Sequence, residues 1–263
     1  MKGLFDKGSG TPIILIPGLH GRWEWHRPAL DSLSRHHRVI SFSLCDERSS
    51  LFPCEASKQF DNYISQVELA MQRAGIEQAV IAGVSYGGLI ASEFAARHPQ
   101  RVSALVLASA LHSSWEPDDE QRRYLNAPTL MSPLFVATAP RRMRSEMAAA
   151  LPGIGKRVGF ALMHAARVLM SPTTPSRMAR RIKWAQAYRF ADPRQIKVPV
   201  LIVTGEPDLD RVLPVDVTLR YLNEFNEAEH VVLRRTGHIG SLTRPEEFAD
   251  MLDRFVNGIR VPA

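Results

Sequence analysis

Ala79-Val80-Ile81-Ala82-Gly83-Val84-Ser85-Tyr86-Gly87-Gly88-Leu89-Ile90-Ala91 decides the fold. Five apolar residues ending in Gly83 read as a strand, and the apolar text from Leu89 to His98 reads as a helix that Pro99 stops. Between them lies Gly83-Val84-Ser85-Tyr86-Gly87, a G-x-S-x-G on a sharp strand-to-helix turn. Small residues two before and two after the serine let strand and helix approach closely, and the serine hydroxyl then projects clear of the sheet. The N–H of Tyr86, at the helix start, can face developing negative charge.

Working outward, Ile13-Ile14-Leu15-Ile16 is a short apolar run stopped by Pro17-Gly18, as expected of a strand buried on both faces. Arg27 to Leu33 predicts a helix, Arg38 to Leu44 a second strand, and Lys58 to Ala74 a helix closed by Gly75. Val102 to Ala108 is a fourth strand. Strands alternating with helices imply parallel βαβ units in a doubly wound sheet. The alternation stops at Leu111. Up to Phe190 the text is helical, broken by Pro117, Pro128, Pro133, Pro140, Pro152, Pro172 and Pro175, and it holds six of the nine methionines. Val198 to Val203 resumes the sheet, followed by a helix near Pro214 to Phe225, a strand His230 to Leu233 and a helix Pro245 to Asn257. The expected organisation is one α/β core over 1–110 and 191–263, with an all-helical cap inserted over 111–190.

A serine nucleophile needs a base, and the base an orienting acid. His238 follows the last strand between Gly237 and Ile239-Gly240, and the acidic turn Glu206-Pro207-Asp208-Leu209-Asp210 follows the resumed one. Both lie past the carboxyl end of a strand, where open α/β sheets assemble sites. Three carboxylates compete for the acid: Asp208, preferred, with Asp210 and Glu206 as rivals.

On the Gly83–Gly87 elbow, the Gly205-Glu206-Pro207-Asp208 turn with Pro214 beyond it, and Gly237-His238, the chain resembles the α/β-hydrolase superfamily, of the type with a helical cap. The resemblance implies Ser85 as nucleophile, His238 as base and Asp208 as orienting acid. It also implies an oxyanion loop after the first buried strand. That place reads Pro17-Gly18-Leu19-His20-Gly21, with Pro17 where relatives carry histidine. By position the donors are the N–H groups of Leu19 and Tyr86; a rival alignment on His20-Gly21 makes Arg22 the donor. After Leu44, where relatives often carry a glycine-rich Asp-x-x-Gly-x-Gly-x-Ser, this chain has Cys45-Asp46-Glu47-Arg48-Ser49-Ser50.

Serine at the elbow favours acyl transfer to water over the alkyl-ester chemistry of relatives with aspartate there. The expected activity is carboxylic-ester hydrolysis through an acyl-enzyme. Carbon–carbon bond hydrolysis on the same fold, and non-catalytic ligand binding, are the alternatives. Trp23, Trp25, Met131, Phe135 and Met163 are the candidate substrate-binding residues. No phosphate-binding or dinucleotide glycine motif and no metal-spaced cluster appears, so neither cofactor nor metal is expected.

The 263 residues carry a net charge of +6, from 33 basic and 27 acidic side chains. Residues 111–190 hold 13 Lys/Arg against 5 Asp/Glu, so this segment carries the whole excess. A cationic cap can attract an anionic substrate or lipid, or be a solvated face. Arg141, Arg142 and Arg144 crowd what reads as a helix start, where a helix dipole disfavours cations. No nucleic-acid motif is present, and the partner expected is a small molecule, possibly anionic. No apolar run reaches the length of a signal core or a membrane span, and two cysteines suit a reducing compartment, so a cytoplasmic protein without integral membrane association is expected.

Overall fold

The computed structural model describes residues 3–225 and 227–259, apart from the side chains of 134–136 and 139–140. Seven strands form one sheet: β1 (Leu4–Lys7), β2 (Pro12–Ile16), β3 (Arg38–Phe42), β4 (Ala79–Val84), β5 (Val102–Ala108), β6 (Val200–Thr204) and β7 (Ala228–Val232). Their order is β1-β3-β2-β4-β5-β6-β7, and every pair is parallel except β1 with β3. The central strands alternate their burial between the two faces. Ile14, Ile16 and Ile81 point to one side, where α2 (Asp61–Ala74) and α3 (Tyr86–Arg97) pack; Ile13, Leu15 and Val80 point to the other, toward α1 (Arg27–Leu33). A sheet covered on both faces explains why these strands read as continuous apolar runs.

β1 was not expected from the sequence. It has four residues, pairs on one side only and buries Phe5 while Asp6 and Lys7 stay exposed, so it lacks an apolar pattern long enough to read. The other strands and helices fall within a few residues of their expected places. Gly75 closes α2 in the left-handed conformation at φ 66°.

Between β5 and β6 lie four helices and no strand: α4 (Asp119–Asn126), α5 (Pro128–Ala150), α6 (Ile154–Met170) and α7 (Pro175–Ala187). Pro128 and Pro175 begin helices, where the missing N–H costs nothing. Pro133 and Pro140 lie within α5 and do not end it. Arg141, Arg142 and Arg144 therefore sit in the middle of a 23-residue helix, not at its start, and the dipole argument does not apply to them. After β6 come α8 (Val215–Leu219), α9 (Gly240–Thr243) and α10 (Pro245–Gly258), the last burying Phe248 and Leu252 beside α1.

α7 is tied to the core by charge. Arg181 is wholly buried; its Nη2 lies 2.8 Å from Asp46 Oδ1 and 2.6 Å from Glu47 Oε1, and its Nη1 donates to the Leu19 carbonyl at 2.7 Å. Arg180 reaches Asp46 and Arg177 reaches Glu47, at 3.1 and 3.2 Å. The Cys45-Asp46-Glu47 stretch, a departure from the resembled pattern, thus supplies the anchors for the inserted helices. Replacing Arg181 with Met should destabilise the protein by about 3 kcal/mol, the low end for breaking a buried pair, because Arg180 and Arg177 still cover the two carboxylates. The midpoint of urea unfolding measures this, and a loss below about 1 kcal/mol would mean that the network is no stronger than a surface ion pair.

Candidate active site

Ser85 sits at φ 54°, ψ −119°, a conformation that side chains rarely adopt. It is held there by its own backbone: its N–H donates to Ala108 O at 2.9 Å, and its carbonyl accepts from Gly88 and Leu111. The turn closes only around glycine. A Cβ on Gly83 would lie 2.3 Å from the Gly87 carbonyl, and one on Gly87 2.4 Å from the Ile16 carbonyl. The elbow therefore locks β4, α3 and the end of β2 together and leaves the serine side chain above the carboxyl end of the sheet.

His238 approaches from the loop after β7. Its Nε2 is 3.0 Å from Ser85 Oγ, and its Nδ1 is 3.2 Å from Asp210 Oδ2. The acid that meets the histidine is Asp210, which corrects the expectation of Asp208. Glu206 to Asp210 makes a tight turn in which the N–H groups of Leu209 and Asp210 both donate to the Glu206 carbonyl. This turn leaves Asp208 exposed and carries the Leu209–Asp210 backbone onto Gly237, where a Cβ would lie 2.4 Å from Leu209 O. Asp210 Oδ1 accepts from the N–H groups of Val212 and Leu213 at 3.0 and 2.9 Å, which leaves Oδ2 for the imidazole. The signal in the sequence was this turn: an aspartate followed two and three residues later by N–H groups it can cap, just before Pro214. Glu206 instead accepts from the Arg235 N–H.

The electrostatics follow from burial and pairing. Burial pushes the Asp210 carboxyl up, but His238 and the two backbone donors outweigh it and hold the group below the usual carboxylate range. Burial pulls His238 down, and the carboxylates of Asp210 and Glu146 outweigh that, so its pKa is raised.

Glu146 was not expected at all. It lies on α5, is buried, and both its oxygens accept from the N–H of Ile239, next to His238, at 3.1 and 3.2 Å. Its own carboxyl is pushed up by burial, against the pull of the backbone donors at Gly237 and Ile239. Arg235, on the same loop, donates to Ala149 O of α5 at 2.8 Å. An acid in the middle of an otherwise basic segment was the only trace of this in the sequence.

The Pro17–Gly21 loop lies against the elbow. A Cβ on Gly18 would be 3.3 Å from Ser85 Cβ, whereas one on Gly21 would strike the Arg181 guanidinium at 2.5 Å. The Gly21 N–H closes a turn on Gly18 O, and the Gly18 N–H donates to His26 Nε2 at 3.4 Å, an imidazole that burial pulls down to about 4. Those bonds leave the Leu19 N–H out of the turn. Tyr86 is the first residue of α3, so its N–H has no intrahelical acceptor, and its hydroxyl donates to Arg181 O. The side chain of Arg22, whose N–H is the rival donor, pairs with Glu24 and Ser49.

The five expected substrate-binding residues divide. Trp25 stands between core and insertion, 4.0 Å from the His20 ring and 5.7 Å from that of His164, with its Nε1–H donating to Ser171 O. Trp23 instead packs on Phe5 at the edge of the core. Met163 turns outward on α6 and is 57% exposed, so it does not line the site. Met131 is half-buried on α5, and the Phe135 side chain lies outside the described residues. Among the described residues no group of three or more potential ligands is placed to hold a metal ion.

Two substitutions test the acid and its companion. Asp210→Asn should lower kcat by about 10⁴-fold through loss of the favoured tautomer, while Asp208→Asn should leave it within about twofold; equal losses would reassign the acid. If His238 is the base, it must be neutral to act, so the acid limb of kcat/KM should lie above the ordinary histidine value of about 6.5. Removing a negative charge destabilises the imidazolium. Glu146→Gln should therefore move that limb to lower pH with the fold intact, and an unmoved limb would show that Glu146 does not act on His238.

A family model described as alpha/beta hydrolase fold matches residues 11–245. The 2-hydroxy-6-oxo-2,4-heptadienoate hydrolase of Pseudomonas putida is 27% identical, over 96% of this chain and 91% of its own. The 2-hydroxymuconate semialdehyde hydrolase of a Pseudomonas species is also 27% identical, over 96% of this chain and 89% of its own. Among solved structures, the enol-lactonase of Burkholderia xenovorans superimposes with a TM-score of 0.76 at 22% identity, covering 97% of this chain and 95% of its own. With its match to the family model spanning most of the sequence and its mostly parallel seven-stranded sheet, the chain belongs to the α/β-hydrolase family and is an enzyme of that hydrolase class.

Proposed function

We propose that the protein hydrolyses carboxylic esters through Ser85, His238 and Asp210. The observation that carries this reading is the unbroken line of contacts from Ser85 Oγ through both imidazole nitrogens to Asp210 Oδ2, at 3.0 and 3.2 Å. Asp210 keeps the proton on Nδ1, so Nε2 can accept the serine proton as Oγ attacks the ester carbonyl. The N–H groups of Leu19 and Tyr86 receive the oxyanion. The imidazolium then protonates the departing alkoxide, leaving an acyl-serine. Water, deprotonated by the same Nε2, releases the acid and restores Ser85. The balance requires only ester and water. In this reading residues 111–190 act as a cap, with Trp25 and Glu146 at its seam with the core.

Carbon–carbon bond hydrolysis is the second reading, favoured by the names of the relatives at 25–27% identity. The substrates in those names are enol keto-acids, whose carboxylate calls for a cation. Here Arg181 and Arg22, the buried arginines beside the oxyanion loop, are already committed to Asp46, Glu47 and Glu24. That commitment favours a neutral ester. The two free cysteines suit the cytoplasm as its place of action.

Ser85→Ala should abolish both ester turnover and labelling by a fluorophosphonate probe while keeping the fold, since alanine fits the same backbone. Labelling retained in that variant would place the nucleophile elsewhere. A panel of neutral esters of graded acyl length, run beside a 2-hydroxy-6-oxo-dienoate, separates the two readings. Higher kcat/KM on the dienoate than on every ester would replace the first reading with the second.

A further inference from the structure

α6 carries its apolar residues on the wrong side for a helix of a monomer. Eleven of its seventeen residues are exposed, and Lys156 is the one charged residue among them; the other ten are apolar or glycine. Ile154, Val158, Leu162 and Leu169 fall within roughly 80° of arc and form one stripe about 25 Å long. Ile154 is 74% and Leu169 80% exposed. The inward face is the mixed one: Phe160 and His164 stack there, His164 against Trp25. Single exposed leucines are ordinary on a protein surface, but a continuous stripe of this length marks a contact surface.

Charge selects the occupant. From Pro128 to Ala187 there are ten Lys/Arg and one acid, Glu146, and that acid is buried against the histidine loop. α6 itself has no acidic residue; Arg157 lies roughly 60° round the helix from the edge of the stripe, and Lys156 and Arg167 lie at the border of the inward face. Arg141 and Arg144 are exposed on α5. A second copy docked on this face would set two like-charged surfaces together with no exposed carboxylate on α5, α6 or α7 to offset them. A surface of anionic lipid offers what the face lacks, acyl chains for the stripe and phosphates for the exposed cations of α5 and α6. We propose that α6 seats the protein on anionic membranes, lying in the interface. Among the described residues no helix is long and apolar enough to cross a bilayer. The proposal is independent of the ester reading, because its test measures binding and not turnover.

The test is co-sedimentation of the full chain with vesicles of phosphatidylcholine alone and with about 30% phosphatidylglycerol added, at an ionic strength near 0.1 M, where screening reaches beyond about 10 Å. Binding should require the anionic lipid and fall as salt is raised. The double variant Leu162→Glu, Leu169→Glu should lower partitioning at least about tenfold, since two leucines leave the acyl region and two negative charges enter. Both positions are exposed, and unchanged circular dichroism would show that the fold survives. Leu162→Ser, Leu169→Ser should give an intermediate loss. Absence of binding to either vesicle, equal binding to both, or binding unchanged in the variants would overturn the proposal. So would a dimer in sedimentation velocity that these substitutions dissociate, which would assign the stripe to a second copy.

Discussion

The site exists because backbones touch where side chains would ordinarily keep them apart. Three loops meet at the carboxyl end of the sheet, and glycine stands at each crossing: Gly83 against Gly87, Gly87 against Ile16, and Gly237 between Gly205 and Leu209–Asp210. At each, a methyl group would lie within about 2.6 Å of a backbone atom. Ser85 sits at positive φ without being glycine, and so do Ser109, after β5, and Arg235, on the histidine loop. Residues in sparsely populated backbone regions cost of order 1–3 kcal/mol and persist only where the surroundings over-determine them. The hydrogen bond from Ser85 N–H to the Ala108 carbonyl and those from Gly88 and Leu111 to the Ser85 carbonyl do that here. Loosening any crossing would move a reacting group relative to the other two.

The inserted helices attach to this scaffold by charge as well as by apolar packing, in which Ile182 and Ala185 join the core cluster and Trp184 packs against it. Arg181 anchors α7 to Asp46, Glu47 and the Leu19 carbonyl, and Glu146 anchors α5 to the backbone beside His238. Both anchors end on loops of the site, one on the side of the oxyanion loop and one on the side of the base. Burying ions for attachment is costly unless each is paired or hydrogen-bonded; Arg181 is paired with two carboxylates, and Glu146 accepts from backbone N–H. The consequence is coupling. The position of the insertion is set by the same bonds that set the Leu19 and His238 backbones, so a shift of α5 or α7 is felt at the reacting atoms.

What could be read from the sequence was whatever depends on short spacing. The elbow is five consecutive residues, and the alternation of apolar strands with helices is set by a sheet covered on both faces. Both carry through to the structure. Asp210 was named only as a rival to Asp208, the aspartate of the Gly205-Glu206-Pro207-Asp208 turn on which the resemblance drew. The choice is made by a turn of chain held on the Glu206 carbonyl, whose trace in the sequence is the capping position of Asp210 ahead of Pro214. β1 was missed because an edge strand of four residues buries one side chain well. α5 was read as broken because proline usually ends helices, yet it continues through two of them. Glu146 was missed because its meaning lies in a contact 93 residues away in sequence. Trp23 and Met163 show the limit of composition: an aromatic or a methionine near the site in sequence can face the core or the solvent equally well.

The proposed triad chemistry is indifferent to what leaves the acyl carbon, so in that reading selectivity must come from the groups around it. On the core side these are committed. The arginines beside the oxyanion loop are neutralised, and the nearby His20 and His26 imidazoles are pushed toward the neutral form by burial. A charged head group gains little there and loses its hydration. The positive charge of the molecule is instead carried outward, on α5 and α6, beside an apolar stripe. Interior neutrality and exterior cationic, apolar character select different things. On the proposed reading, the first suits an uncharged acyl substrate at the serine, and the second suits the surface from which such a substrate, poorly soluble in water, would be drawn.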